Sequence, residues 1–326
     1  MMNLKTMVIG LSSDHVARDL IRNWEHDKGS LRFWRASSNF VYAFQRNQER
    51  YFLRFSTEQD HDMEQIVAEL EFMQYLIANH FPCVSPVSSI NDKLIETVQN
   101  SEGKYFAVVF HAAQGTNLDE SLSPEQCEEW GRSLARLHSL SAVYKPVHSE
   151  RKSWRDILGW IDHVLQNHPQ EQDAAAELKR MTLWLKSQPV TKETYGLIHY
   201  DFQLDNVFYD EEQHSFNVID FDDSFYSWYA LDIVSALPDM PGQGDPLSSE
   251  HMKSFLKGYR SVRVLGDDFI EQIPYFQRFM NLYGFSRLLG SLDDSEMEQG
   301  PDWLEDVRLK FARSRDNLRQ GFTRGI

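Results

Sequence analysis

The chain has 326 residues, 41% of them apolar and 25% charged, which excludes a disordered polymer and predicts one large or two moderate globular domains. A formal charge of −16 sets it against nucleic-acid phosphates and suits either a cationic small partner or plain solubility. The longest apolar runs, such as "FAVVF" at Phe106–Phe110, fall far short of the roughly 18 residues a membrane-spanning helix needs, so no membrane partner is expected.

The first stretch, "MMNLKTMVIGLSS", carries one lysine and a very short apolar patch and is not read as a signal peptide. A first helix is predicted over Ser13–Trp24, with Ser12 or Ser13 as its cap. Three runs rich in aromatic and β-branched residues, Leu31–Ser37, Phe40–Arg46 and Arg50–Ser56, predict an antiparallel meander. The spacing of Ile66, Leu70, Met73 and Leu76–Ile77 predicts a helix over Asp62–Asn79, stopped near Phe81-Pro82. Two further strands are predicted at Lys93–Gln99 and Lys104–Phe110, around the turn "NSEG". Ser123-Pro124 then opens a helix that continues over Glu125–His138, with proline at its first position. Beyond about Lys145 the chain reads mostly helical, interrupted near residues 197–221. Strands with one helix first and helices later predict an α+β fold of two unlike lobes, 1–112 and 113–326. The seam falls at His111–Gly115, where an apolar strand gives way to small residues. Cys83 and Cys127 form no metal or redox spacing, which fits a reduced, cytoplasmic setting.

The interruption reads "LIHYDFQLDNVFYDEEQHSFNVIDFDDSFY" from Leu197 to Tyr226. It sets Asp201, Asp220, Asp222 and Asn206 among aromatic and aliphatic neighbours, where unpaired polar groups cost several kcal/mol. A hairpin turn at "DEEQHS" folds one short strand back on the other and brings Asp220 near Asp201 and Asn206. Such an oxygen cluster suits Mg²⁺, which takes one or two carboxylates plus phosphate oxygens and offsets the repulsion between the acids. The pattern His199-x-Asp201-x-x-x-x-Asn206, with Asp220 fourteen residues on, matches the phosphoryl-transfer template.

On these motifs the chain resembles the aminoglycoside phosphotransferase / choline kinase-like family, whose fold is similar to that of protein kinases. "VIDFDD" resembles the family's metal-binding strand, "ALDIVSA" its following helix start at Asp232, and "LARLHSL" (Leu134–Leu140) its helix after the hinge. The likeness runs from about Phe33 to Ala236 and is weakest toward the C-terminus. It implies Asp201 as the catalytic base, Asn206 and Asp220 as metal ligands, and His199 as a structural tie between loop and metal strand. Asp232 is either a plain N-cap or an indirect support of the catalytic loop. Where the family has His-Gly-Asp, this chain has Tyr200 in the glycine's place, a change that bears on the acceptor pocket. Arg54 stands where many relatives carry the phosphate-holding lysine, and Glu69 is its expected helix partner, with Glu71 and Glu64 as rivals. The family's glycine-rich loop is absent. The turn reads "ASSNFVY", whose Ser37, Ser38 and Asn39 are expected to aim backbone N–H groups at phosphate. Backbone around Phe110–Ala112 is expected to hold adenine. Asp222 and Tyr200 are candidate acceptor contacts and Asp223 is expected in solvent. Phe225, Tyr226, Trp228 and Tyr229 read as core, with a cage for a cationic substrate as the alternative. The Tyr275–Leu289 stripe also reads as core.

The resemblance therefore implies a phosphotransferase that uses ATP and Mg²⁺ to phosphorylate a hydroxyl of a small molecule: an aminoglycoside, amino alcohol, homoserine or sugar-like acceptor. No sequence feature sets an oligomeric state. A nucleotide-binding pseudokinase is the alternative raised by Arg54 and the missing glycine loop, and intact Asp201, Asn206 and Asp220 argue against it. A protein Ser/Thr kinase is disfavoured because "DFDDSFYSWYALDI" leaves too short a segment for a docking platform.

Overall fold

The protein was analysed as a computed structural model that describes residues 2–118, 122–236, 238, 249–292 and 300–323. Two short helices come first, α1 (Leu4–Leu11) and α2 (His15–Ile21). The meander follows as β1 (Arg32–Ala36), β2 (Phe40–Arg46) and β3 (Glu49–Thr57), and then α3 (Met63–Ala78). β4 (Pro86–Val87), β5 (Glu96–Asn100) and β6 (Gly103–His111) complete a six-stranded antiparallel sheet, in which β6 pairs with β3, β4 and β5.

The helix expected at Ser13–Trp24 is α2, shorter at both ends, and α1 before it was not expected. Asn3 caps α1 by accepting the Lys5 N–H, and Gly10 lets that helix lie on Phe40, where an added Cβ would stand 2.1 Å from the ring. Its buried residues, Leu4 and Met7, are too few to announce a helix by periodicity alone. The strand expected from Lys93 begins only at Glu96, and the two-residue β4 is too short to carry any pattern.

Alternation along the long strands divides the sheet between two cores. Phe40, Tyr42, Leu53, Phe55, Ala107 and Val109 pack with α1 and α2. Phe106, Val108 and Phe110 belong instead with Ile66, Leu70 and Met73 of α3 and the large helical core. The second lobe opens with β7 (Thr116–Asn117), α4 (Pro124–Ser141), α5 (Trp154–Gln166) and α6 (Gln172–Ser187). β8 (Tyr195–Ile198), β9 (Val207–Asp210), β10 (Ser215–Val218) and β11 (Phe225–Trp228) form two small sheets, β10-β9-β7 and β11-β8. α7 (Tyr229–Ser235), α8 (Glu250–Arg260), α9 (Phe269–Leu292) and α10 (Trp303–Gln320) complete it. α10 returns to the first lobe, where Leu304 is buried in the α1–α2 core, so the lobes are not contiguous in sequence. Among the described residues no helix is long and apolar enough to cross a membrane.

One crossing positions the site. α4 starts with the expected Ser123 cap and Pro124, closed by a reciprocal bond with Gln126. It meets α8 through two glycines: a Cβ on Gly131 would lie 1.9 Å from the Phe255 carbonyl, and one on Gly258 1.8 Å from that of Glu128. This approach sets His138 of α4 against Tyr259 of α8, ring Nδ1 to hydroxyl at 2.8 Å. Gly131→Ala or Gly258→Ala is expected to lower unfolding free energy by about 1–3 kcal/mol, the overpacking scale, in urea titrations. Gly159→Ala in α5, with nothing within 4 Å of an added Cβ, is the control and should not destabilise.

Candidate active site

β8 carries Leu197 and Ile198 into the core and releases the chain at His199. The loop that follows is held from behind by Asp232, which is fully buried. Its Oδ2 accepts the His199 N–H at 2.8 Å and the His138 ring Nε2–H at 3.0 Å, and its Oδ1 accepts the Tyr200 N–H. Asp232 is therefore not an N-cap: α7 begins at Tyr229 with Trp228 as its cap, and Asp232 lies within the first turn. Burial holds both His138 and His199 below the usual histidine pKa, so both rings are neutral. The carbonyl of Ile219, 2.9 Å from His199 Nε2, assigns the proton there, and Nδ1 accepts the Asp201 N–H at 3.3 Å. His199 thus ties the catalytic loop to the strand before Asp220.

Tyr200 explains why a glycine suits its position: its φ is +72°, in the left-handed region that side chains resist. The strain is offset by ring packing against Phe225 and Tyr283, at 5.1 and 5.5 Å between centroids. Asn206 Nδ2 donates to Asp201 Oδ2 at 2.8 Å and to the Asp201 carbonyl at 3.0 Å. Its carbonyl accepts the Ile219 N–H at 3.0 Å. Asp201, Asn206 and Asp220 are thereby brought together. Burial, reinforced by Asp223 and Asp205, pushes the Asp201 carboxyl up to about 7, the range of an efficient base at neutral pH.

Asp220 sits at φ +66°. Burial and then the Asp222 carboxylate raise its pKa well above the usual range; Asp222, against its own burial, is held low by Arg54. Two neighbouring carboxylates thus compete for too little positive charge. The Asn206 Oδ1 is buried and has no hydrogen-bond partner among the described residues. An orphaned amide oxygen beside such a carboxylate is a donor set for a hard divalent cation. Among the described residues no three His, Cys, Asp or Glu side chains form a metal site by themselves, which fits a shell completed by substrate oxygens.

Arg54 makes a two-pronged ion pair with Glu69, at 2.8 and 2.7 Å, and lies 5.0 Å from the Phe110 ring centroid. Of the rivals, Glu71 instead accepts the Val147 and His148 N–H groups and Glu64 is exposed. Beside the pair is a cleft of about 470 Å³ lined by Trp34, Arg35, Arg54, Phe110, Ala112 and Asp220, among others. The expected backbone donors are partly consumed: the His111 N–H bonds Ser85 and the Ala112 N–H bonds Arg50, because β6 is still in the sheet there. Ser38 and Asn39 do not line this cleft. They line a neighbouring cavity of about 420 Å³ with His61, Asp222, Tyr283 and Arg287. The Asn39 amide donates to Asp222 at 2.6 Å and Ser38 Oγ accepts from Arg287 at 3.1 Å.

Asp223, expected in solvent, instead accepts Arg287 at 2.7 Å. Within the Tyr275–Leu289 stripe Phe276, Phe279, Leu282 and Phe285 are core, while Tyr283 and Arg287 reach the cavity. Phe225, Trp228 and Tyr229 are buried and Tyr226 half-buried, in keeping with a core role, and the Arg263 guanidinium lies over the Tyr229 ring at 4.6 Å. Sequence reasoning missed Arg35, Arg151 and Arg287. A charge inside an apolar stripe was the available signal for Arg287. Arg151 offered none: its guanidinium is buried, donating to the carbonyls of Gln65, Ser224 and Asp222 and so joining α3 to the segment after Asp220.

A sheet lobe with one main helix, a helical lobe and this loop between them define a kinase-like phosphotransferase. Residues 31–265 match the model of the "Phosphotransferase enzyme family", and the chain belongs to that family. It is 25% identical over 316 residues to amicoumacin kinase of Bacillus subtilis (strain 168), covering 90% of this chain and 91% of that protein. It is 25% identical over 276 residues to homoserine kinase of Methylobacillus glycogenes, covering 80% and 81%. The solved amicoumacin kinase hAmiN, in complex with AMP-PNP, Ca²⁺ and Ami, shares its fold, with a TM-score of 0.78 at 20% identity over 94% of this chain and 93% of that one. The protein is accordingly a kinase that phosphorylates a hydroxyl of a small molecule.

Asp232→Asn tests the loop's anchorage. Asparagine offers one acceptor oxygen, so its NH₂ would face a backbone N–H, and a stability loss of roughly 3 kcal/mol or more is expected in urea titrations. A loss within experimental error would show that the loop holds itself.

Proposed function

We propose that the protein transfers the γ-phosphate of ATP to a hydroxyl of a small, amine-bearing molecule in the cytoplasm. The observation that carries this reading is the junction of Asp201, Asn206 with its unpartnered oxygen, and Asp220, beside the cleft of the Arg54–Glu69 pair. ATP occupies that cleft, its adenine near Phe110 and Ala112 and its phosphates near Arg54. Asn206 and Asp220 would hold Mg²⁺, which when bound would neutralise charge on the transferring group. Asp201 accepts the proton of the acceptor hydroxyl while that oxygen bonds to the γ-phosphorus and the bond to the departing ADP oxygen breaks. Catalysis is then mainly positioning and electrostatics. Residues 1–112, with α10 packed on them, serve as the nucleotide lobe and the rest of 113–326 as the catalytic and acceptor lobe.

Relatives named for amicoumacin and homoserine support a small acceptor. The second cavity sets Asp60, Asp62, Glu69, Asp156, Asp222 and Asp223 against Arg54, Arg151, Lys152 and Arg287, and this acidic excess favours a cationic one. The same net charge of −16 disfavours a nucleic-acid partner.

Asp201→Asn should retain Mg-ATP affinity and lose a factor of about 10² or more in turnover, the scale of a general base. Turnover near that of the wild type would remove Asp201 from the chemistry. By calorimetry, Asp220→Ala should abolish and Asn206→Ala weaken Mg²⁺-dependent nucleotide binding. Equal affinities in all three proteins would contradict the ligand assignment.

A further inference from the structure

Two consecutive residues of β1, Trp34 and Arg35, both line the nucleotide cleft. In a regular strand they would point to opposite faces. The register between β1 and β2 slips between Phe33 and Arg35, an irregularity of the kind that re-aims side chains beside active sites. The Trp34 ring consequently lies 5.6 Å from that of Phe52, and Arg35 Nη2 donates to Asp220 Oδ2 at 2.6 Å. Arg54 is nearly 4 Å from the same carboxylate, at 3.9 Å, with both guanidinium prongs committed to Glu69. Asp220's close counter-ion is therefore Arg35, from the edge of the sheet, with 42% of its side chain in solvent. The turn that would otherwise cradle phosphate has its Ser38 and Asn39 side chains engaged with Arg287 and Asp222.

We propose that Arg35 is a displaceable counter-ion that couples metal binding to nucleotide binding. In the nucleotide-free protein it neutralises Asp220; when a divalent cation takes that carboxylate, the guanidinium passes to the nucleotide phosphates. A cationic side chain on a bulged edge strand thus takes over what glycine-loop amides do elsewhere. Two consequences have opposite sign. A metal ion alone must compete with Arg35 and binds weakly, whereas metal and triphosphate together satisfy every charge and bind cooperatively. The inference rests on the reading of the cleft as the nucleotide site and of Asp220 as a metal ligand.

The test compares wild type, Arg35→Ala and Arg35→Lys in three titrations: Mn²⁺ alone followed by electron paramagnetic resonance, and Mg²⁺ with AMP-PNP or with adenosine followed by calorimetry. Arg35→Ala should bind Mn²⁺ alone about 10-fold more tightly and Mg²⁺-AMP-PNP about 10-fold more weakly, the scale of one charge-assisted hydrogen bond. Adenosine affinity should not change. Arg35→Lys should fall between, keeping the charge without the planar fork. A purely structural loss would not move metal and nucleotide affinity in opposite directions. Mn²⁺ affinity that fails to rise, or Mg²⁺-AMP-PNP affinity equal to wild type, overturns the proposal. A wild type that binds no Mg²⁺-AMP-PNP overturns the nucleotide reading itself, which separates the two failures.

Discussion

The Asp232 carboxylate is the constraint on which the site depends. It sits in the core on α7 and gathers three N–H donors, two from the catalytic loop and one from His138 on α4. A buried charge is tolerable only when so satisfied, and satisfying it leaves the loop a single geometry. The chain of consequences runs outward from there. His138 must be neutral and correctly oriented, which Tyr259 ensures, and Tyr259 reaches it only because Gly131 and Gly258 let α4 and α8 touch. Tyr200 must present its N–H to Asp232, which pins it in the left-handed region. Asp201 takes its position from these bonds together with its own to His199 and Asn206.

The acidic residues at the junction of the lobes form a second, electrostatic layer. Asp220, Asp222 and Asp223 are each met by a group from another element: Arg35 of β1, Asn39 of the following turn and Arg287 of α9. Arg151 closes the layer from below by joining the Gln65 carbonyl on α3 to those of Asp222 and Ser224. Such buried or half-buried pairs add little net stability, because desolvation consumes most of the Coulomb attraction. What they do is fix register between lobes whose apolar contact, such as Phe72 on Phe221, is not directional.

Each departure from the family pattern has a physical counterpart in the structure. Arg54 replaces a lysine but spends both prongs on Glu69, so it cannot also sit close to Asp220. The missing glycine-rich loop coincides with a β1 bulge that turns Arg35 into the cleft. Tyr200 in place of glycine keeps the required backbone conformation through packing on Phe225 and Tyr283.

Read alone, the sequence determined the two-lobed architecture, the meander, α3 and the Asp201, Asn206 and Asp220 loop. Those features are carried by short-range periodicity and by local spacing, which survive without knowledge of the fold. The family resemblance also offered Glu69 for Arg54, with Glu71 and Glu64 as rivals that only the structure set aside. Only the tertiary structure decided that Asp232 is a buried acceptor instead of a cap, that the amides of His111 and Ala112 are spent within the sheet and its hinge, and that Ser38 and Asn39 belong to the neighbouring cavity. It alone also brought Arg35, Arg151 and Arg287 to the site, the last from 64 residues beyond its partner Asp223. The physical reason is common to all of these: a hydrogen bond or ion pair between distant segments is set by how helices and sheet pack, and packing leaves no periodic trace in either partner's own stretch of chain.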